Sequence, residues 1–147
     1  MAELAHAREL SGDLTTEYPR FEDVMNKWGY DWEAHQVQTD DDYILTTFRV
    51  LGKTGEASQA DSKGSVLIQH GGYQDGADWL STFETGKPFH LQLVDYGYDV
   101  WIGNNRGSEY SRGHTKYDAT TDNDYWMFTF TEMGLYDTPA NISMIKD

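Results

Sequence analysis

The residues whose chemistry stands out first are His70, Gly71 and Gly72, which close the stretch Gly64-Ser-Val-Leu-Ile-Gln-His-Gly-Gly72. Ser65 to Ile68 is an apolar, β-branched run of buried-strand length bounded by turn residues, which predicts a short central strand. The paired glycines let the backbone pass close to a ligand. A backbone N–H at such a place can point at a carbonyl oxygen as it gains negative charge, so the stretch reads as half of an oxyanion hole.

The rest of an acyl-transfer site is harder to find. Gly103-Asn104-Asn105-Arg106-Gly107 has the outline of Gly-x-Ser-x-Gly with asparagine in the serine position. Asparagine offers no attacking hydroxyl, so this segment reads as a tight strand exit at the carboxyl end of a strand, where ligands collect in open α/β sheets. Ser108 and Ser111 follow but lack the flanking glycines of a nucleophile elbow. No Gly-x-Ser-x-Gly occurs in the 147 residues.

The elements that would carry these loops follow from periodicity. Phe21, Val24, Met25 and Trp28 fall on one helical face, and Gly29 is a natural stop. Ala34 to Gln38 and Tyr43 to Leu51 read as a β-hairpin around Thr39-Asp40-Asp41-Asp42, with Asp tolerating left-handed backbone better than most residues. Gly52 to Lys63 reads as an exposed connection, and Tyr73 to Gly86 as a loop with a helical turn around Asp78 to Phe83. Pro88 opens a helix with an apolar face of Phe89, Leu93 and Val94, closed by Gly97. Tyr98 to Ile102 is the next strand, so strand, helix and strand form a βαβ unit with two parallel neighbours. Asp137 is expected to cap a last helix starting at Thr138-Pro139-Ala140 and burying Ile142 and Ile145. Asn141-Ile142-Ser143 matches a glycosylation acceptor but lies on that helix. Residues 1–20 read as a polar leader in which Ala2 to Leu10 could form a short helix. The fold class is α/β: an antiparallel hairpin leading into a parallel sheet with crossover helices.

Composition narrows the function. Five Trp, ten Tyr and 38% hydrophobic residues mark a folded chain. At this length a compact domain buries roughly 70% of the surface its unfolded chain exposes. The net charge of −14 repels phosphate backbones and anionic headgroups, which argues against nucleic acid as a partner. There is no cysteine, and the Asp-rich segments lack calcium-loop spacing, so neither a metal nor a cofactor is expected. No signal peptide or membrane span is visible.

From Phe21 onward several consecutive motifs are similar to the acid lipases of the α/β-hydrolase fold, the family of gastric lipase, lysosomal acid lipase and the steryl ester hydrolases. They are Trp28-Gly29-Tyr30, His35-Gln36-Val37-Gln38-Thr39 with Tyr43-Ile44-Leu45, Gln69-His70-Gly71 with Asp78-Trp79, and Tyr96-Gly97-Tyr98-Asp99-Val100-Trp101 with Gly103-Asn104 and Arg106-Gly107. Trp126, Glu132-Met133, Tyr136-Asp137 and Pro139-Ala140 complete the set. The resemblance covers the N-terminal portion of such a hydrolase and implies an incomplete sheet.

The resemblance implies a Ser-Asp-His triad in that chain order, acting on neutral lipid esters such as triacylglycerols or steryl esters. It puts the first oxyanion-hole N–H at Gly72, and gives His70, Gly71, Asn104, Arg106 and Gly107 structural roles near the site. The chain departs from the family at Gly72-Tyr73, where a leucine pair is usual, at Asp42 in place of glycine, and at Asn105 in place of a serine that is not the nucleophile. Thr131 and Thr138 likewise replace an Asp and a Leu. The family's nucleophile elbow lies one strand beyond the last helix seen here, so the 147 residues alone are expected to be inactive, with an exposed sheet edge. The alternative is a noncatalytic lipid-binding or protein-interaction module with a protein partner covering that edge. The family suggests a lysosomal, secreted or lipid-associated location.

Overall fold

The computed structural model describes residues 8–10, 18–56, 63–81 and 86–146, and side chains are described for these except 8–10 and 79–81. Its strands are β1 (Arg8–Leu10), β2 (Tyr30–Gln38), β3 (Tyr43–Lys53), β4 (Ser65–Gln69), β5 (Asp99–Gly103) and β6 (Gly113–His114). Its helices are α1 (Pro19–Trp28), α2 (Gly76–Ser81), α3 (Phe89–Asp95), α4 (Phe130–Glu132) and α5 (Thr138–Lys146), with a 3₁₀ turn at Asn123–Trp126. None of the described helices is long and apolar enough to cross a membrane.

The strand order is β1-β2-β3-β5-β4, with β6 beside the start of β3. β2 and β3 form the expected hairpin, and β4 and β5 run parallel from Ser65↔Asp99 to Gln69↔Gly103. The sheet is therefore the expected α/β arrangement and is not closed. β5 sits between β3 and β4 and is buried along its whole length, whereas β4 is an edge strand among the described residues and is only partly covered.

Alternation along the strands divides the core into two layers. Phe48, Val50, Val100 and Ile102 face α1 and α3 and join Phe21, Met25, Leu91 and Val94. Val37, Leu45 and Trp101 face the other way and join Tyr43, Tyr125, Ala140 and Met144. A strand covered on both faces needs a continuous apolar run, which Val100-Trp101-Ile102 supplies.

The local expectations fare unevenly. Gly29 ends α1 in the left-handed region (φ 72°), and Asp42 takes φ 77° in the hairpin turn, as its chemistry allows. Arg8–Leu10 is a strand paired with β2, so the helix expected over Ala2 to Leu10 does not reach these residues; the remainder of it lies outside the described residues. β3 runs on through Gly52 and Lys53, and residues 57–62 of the expected connection lie outside the description. The turn of helix expected near Asp78 starts earlier, at Gly76, and residues 82–85 are likewise outside the description. In α3 the buried face is His90, Leu91 and Val94, while Phe89 is exposed.

The end of the chain differs most. Asp137 is not an N-cap: the helical path begins at Phe130 under a capping box in which Thr129 and Glu132 bond reciprocally. A π-helical turn at Met133–Asp137 then leads into α5. The wider turn precedes Pro139, whose ring would otherwise press on the carbonyl four residues back. This rotates the helix, so Asp137, Ala140, Asn141 and Met144 face inward and Ile142 is exposed. Asn141, fully buried and accepting a 2.6 Å hydrogen bond from Thr47 Oγ1, sits in no position to carry a glycan.

Candidate functional site

The two parallel strands β4 and β5 end side by side, and the loops that leave them are joined through one histidine. His70 Nδ1–H donates to the Gly71 carbonyl at 2.7 Å, and its Nε2 accepts from the Asn105 backbone N–H at 3.0 Å. That pair of roles belongs to the neutral Nδ1–H tautomer. Asn105 answers with its side chain, donating from Nδ2 to the His70 carbonyl and accepting from Gln69 Nε2 at 2.7 Å. Asparagine at this position thus stitches the exit of β5 to the exit of β4.

Asn104 ties the same exit to the next elements. Its Nδ2 donates to the Thr46 carbonyl of β3 and its Oδ1 accepts from the Gly76 N–H at the start of α2. Its own carbonyl accepts from Ser111 Oγ, which in turn accepts from the Thr46 N–H. A Cβ on Gly76 would lie 2.7 Å from Ile102 Cγ2, so glycine there is what lets α2 approach β5. Gly107 takes φ 77°, and a Cβ on it would lie 2.9 Å from both Trp126 and Phe128.

Arg106 is the most constrained of the predicted residues. Its side chain is fully buried and bridges two carboxylates: Nε donates to Asp137 at 2.8 Å, Nη1 and Nη2 donate to Asp41 at 2.6 and 2.8 Å, and its backbone N–H donates to Asp137 as well. The guanidinium also lies 3.9 Å from the ring centre of Tyr43. Burial by itself would lower the Arg106 guanidinium, but the two acids more than reverse this and raise it. Burial works to push the Asp41 carboxyl up, and hydrogen bonds from Arg106 and Thr39 outweigh it and hold the group down. For Asp137 burial wins and pushes the carboxyl up.

These loops wall a cleft of about 690 Å³ at the carboxyl ends of β4 and β5. Its lining includes His70, Gly71, Gly72, Arg106 and Gly107, five of the six residues to which the resemblance gives a place at the site, together with Asn105. Asn104 lies behind this wall, fully buried. Gly72 is exposed, and a Cβ on it would lie 2.8 Å from the ring of Phe130 across the cleft. Among the described residues the Gly72 N–H has no hydrogen-bond acceptor. The two candidate hydroxyls are held as structure: Ser108 Oγ donates to the Asn105 carbonyl at 2.7 Å, and Ser111 is buried in the Asn104 network. At the cleft Gly72 thus presents a backbone N–H unpaired among the described residues, while Ser108 and Ser111 both spend their hydroxyls on structural hydrogen bonds.

Residues 21–83 match the family model described as a partial alpha/beta-hydrolase lipase region. Lipase member K of Mus musculus is 37% identical over 125 residues, covering 85% of this chain and 31% of the relative. Lysosomal acid lipase/cholesteryl ester hydrolase of Homo sapiens is 33% identical over 144 residues, covering 95% of this chain and 36% of the relative. Gastric triacylglycerol lipase of Bos taurus is 35% identical over 122 residues, covering 83% and 30%. The chain belongs to the acid lipase family of the α/β-hydrolase fold. It spans about a third of the length of the curated relatives it matches.

Sequence reasoning misses the residues that secure Arg106. Local spacing marks Asp41 only as part of an acidic turn and Asp137 only as a helix cap. They stand 65 and 31 residues from the arginine they hold, and no local pattern records such a pairing. Arg20 and Asp75, which line the far end of the cleft, carry no mark in the sequence, and Asp78 enters only through the Asp78-Trp79 motif.

Proposed function

We propose that this chain is the oxyanion-loop portion of a carboxylic ester hydrolase acting on neutral lipid esters, triacylglycerols or steryl esters. Residues 21–147 form the N-terminal part of its hydrolase domain, and the Gly72 N–H is the first donor to the oxyanion formed as the ester carbonyl is attacked. The observation that carries this reading is the loop after β4, held by the His70–Asn105 junction so that Gly72, with no acceptor for its N–H among the described residues, lines the cleft. Removal of one such donor costs about 10²–10³ in rate.

The attacking serine belongs, in this reading, to a Gly-x-Ser-x-Gly elbow on a further strand that pairs in parallel with the unpaired side of β4. The backbone N–H after that serine is the second oxyanion donor. The substrate class is drawn from the names of the relatives, and a cleft edged by Trp126, Phe128 and Phe130 suits an uncharged acyl chain.

A second reading is a noncatalytic lipid-binding or protein-interaction module. It is favoured by the edge of β4 that is unpaired among the described residues and by the exposure of Met127, Phe130 and Leu135, which a protein partner would cover. The two readings separate on one experiment. The reading frame is followed past codon 147, and both the 147-residue chain and any longer product are treated with a fluorophosphonate probe and a short-chain nitrophenyl ester. The hydrolase reading expects a Gly-His-Ser-x-Gly elbow within a few tens of residues, labelling and turnover by the longer product, and neither by the 147-residue chain. A stop codon without an elbow favours the module, and stoichiometric labelling of the short chain would mean that a nucleophile among these residues was missed.

A further inference from the structure

The loop that bears Gly72 is secured at its near end by His70, and its far end meets a cation from another part of the chain. Arg20, in the first turn of α1, donates from Nη1 to Asp75 Oδ2 at 2.9 Å and from Nη2 to Asp78. Asp75 is buried and doubles as the acceptor for the first N–H groups of α2, at 2.8 Å from Ala77 and 3.1 Å from Asp78. Its own N–H donates to Asp78 Oδ2 at 3.2 Å, which closes the turn on itself. On the opposite wall, Glu109 stands 3.9 Å from the same guanidinium. One arginine therefore faces three carboxylates at the mouth of the cleft and spans the two loops that form it.

Between the two anchors the chain has little to hold it. The backbone N–H groups of Gly71, Gly72 and Tyr73 have no hydrogen-bond acceptor among the described residues, and Gly72 and Tyr73 form a turn that Gln74 closes only weakly. Tyr73 takes φ 63° and its side chain is fully exposed, so it adds no packing. Two adjacent glycines widen the range of backbone states open to this stretch. Its conformation is set by its ends.

We propose that Arg20 is a positioning residue for the oxyanion loop: by holding Asp75 and Asp78 it fixes the far end of Gly71–Gln74 and with it the direction of the Gly72 N–H. This rests on reading Gly72 as the donor. An isolated exposed ion pair would be too weak for such a role. Here, though, the guanidinium bonds two carboxylates of one turn, one of them buried, and a planar fork holds such a pair at fixed geometry. A donor displaced by even an ångström from the developing oxyanion loses much of its effect.

The test uses the full-length hydrolase with Arg20→Gln, Arg20→Lys and, as a charge control on the same helix, Lys27→Gln. Amide hydrogen exchange at Asp75, Ala77 and Asp78, whose N–H groups donate to the Asp75 and Asp78 carboxylates, is read beside kcat and KM for a soluble ester. Arg20→Gln is expected to speed exchange there about tenfold. It should also lower kcat roughly 10- to 100-fold with KM within twofold. Arg20→Lys should recover part of both, and Lys27→Gln should change neither. Unchanged exchange in Arg20→Gln overturns the latch, and so does an equal effect from Lys27→Gln. Faster exchange with unchanged kcat overturns its role in positioning the donor. If the unmodified full-length protein turns over no ester at all, the hydrolase reading fails, and the exchange result still decides whether Arg20 holds the loop.

Discussion

Two loops leave the sheet side by side, one after β4 and one after β5, and they are built on opposite principles. In Asn104-Asn105-Arg106 every side chain is buried and hydrogen-bonded, to β3, to α2, to the His70 turn and to two carboxylates. From Gly71 to Tyr73 the chain is exposed and its N–H groups have no acceptor among the described residues. On the proposed reading the Gly72 N–H is a donor meant for a ligand, which cannot already be satisfied by the protein yet must not wander. The molecule meets both demands by placing the open loop against a rigid one and joining them at His70 and Asn105. Rigidity sits in the β5 loop so that availability can sit in the β4 loop.

The sharpest way to break this contrast is to remove the centre of the rigid loop. Arg106→Met leaves Asp137 buried with no countercharge, and breaking one side of a buried pair costs about 3–5 kcal/mol. Urea unfolding should show that loss, and Arg106→Lys should recover little of it, because an ammonium cannot bond Asp41 and Asp137 together in one plane. A change below about 1 kcal/mol would mean that the clamp is not what holds the β5 loop.

Acid should strike elsewhere. His90, buried in α3 under the opposite face of the sheet, has its ring pushed down by burial from 6.5 to about 4. Its neutral form is the one the fold favours, so the unfolded chain takes up the proton first as pH falls below 6.5. The stability tied to this residue is complete above about pH 6.5, declines as pH falls to about 4, and changes no further below that. The loss amounts to at most about 3 kcal/mol. Comparison of urea midpoints from pH 7 to pH 4 should give a steeper decline for the native chain than for His90→Gln. Equal slopes would remove His90 from the acid response.

The residues that sequence reading found and those it missed divide by range. α1, the hairpin and β5 were legible because their signals are local: the spacing of Phe21, Met25 and Trp28, the stop at Gly29, the left-handed tolerance of Asp42 and the apolar run Val100 to Ile102. The meeting of His70, Gly71, Gly72 and Arg106 around one cleft followed from placing two strand ends together. What failed depended on partners distant in the chain. A strand's place in the sheet is fixed by its neighbours, and among the described residues β4 pairs with β5 alone. Asp137 looked like a cap because Asp before Thr-Pro usually is one. The pull of Arg106 and the π-helical turn before Pro139 gave it another role and turned Ile142 outward.

Two glycines four residues apart carry the contrast down to single methyl groups. A Cβ at Gly76 would meet Ile102 Cγ2 at 2.7 Å and Asn104 Oδ1 at 3.0 Å, both fully buried and neither free to move. Gly76→Ala should therefore cost about 1–3 kcal/mol, the usual penalty for overpacking. A Cβ at Gly72 would be as close, 2.8 Å from the Phe130 ring, but that ring is 68% exposed and can swing away. The backbone at Gly72 is not in the left-handed region, so alanine can adopt it, and the unfolded chain loses freedom in the exchange. Gly72→Ala should leave stability within about 0.5 kcal/mol. In paired urea titrations the two variants should thus differ although the distances are nearly the same, because it is the mobility of the neighbour that decides. Equal destabilisation would show that the β4 loop is as tightly packed as the β5 loop, and the distinction between a fixed wall and an open one would fall.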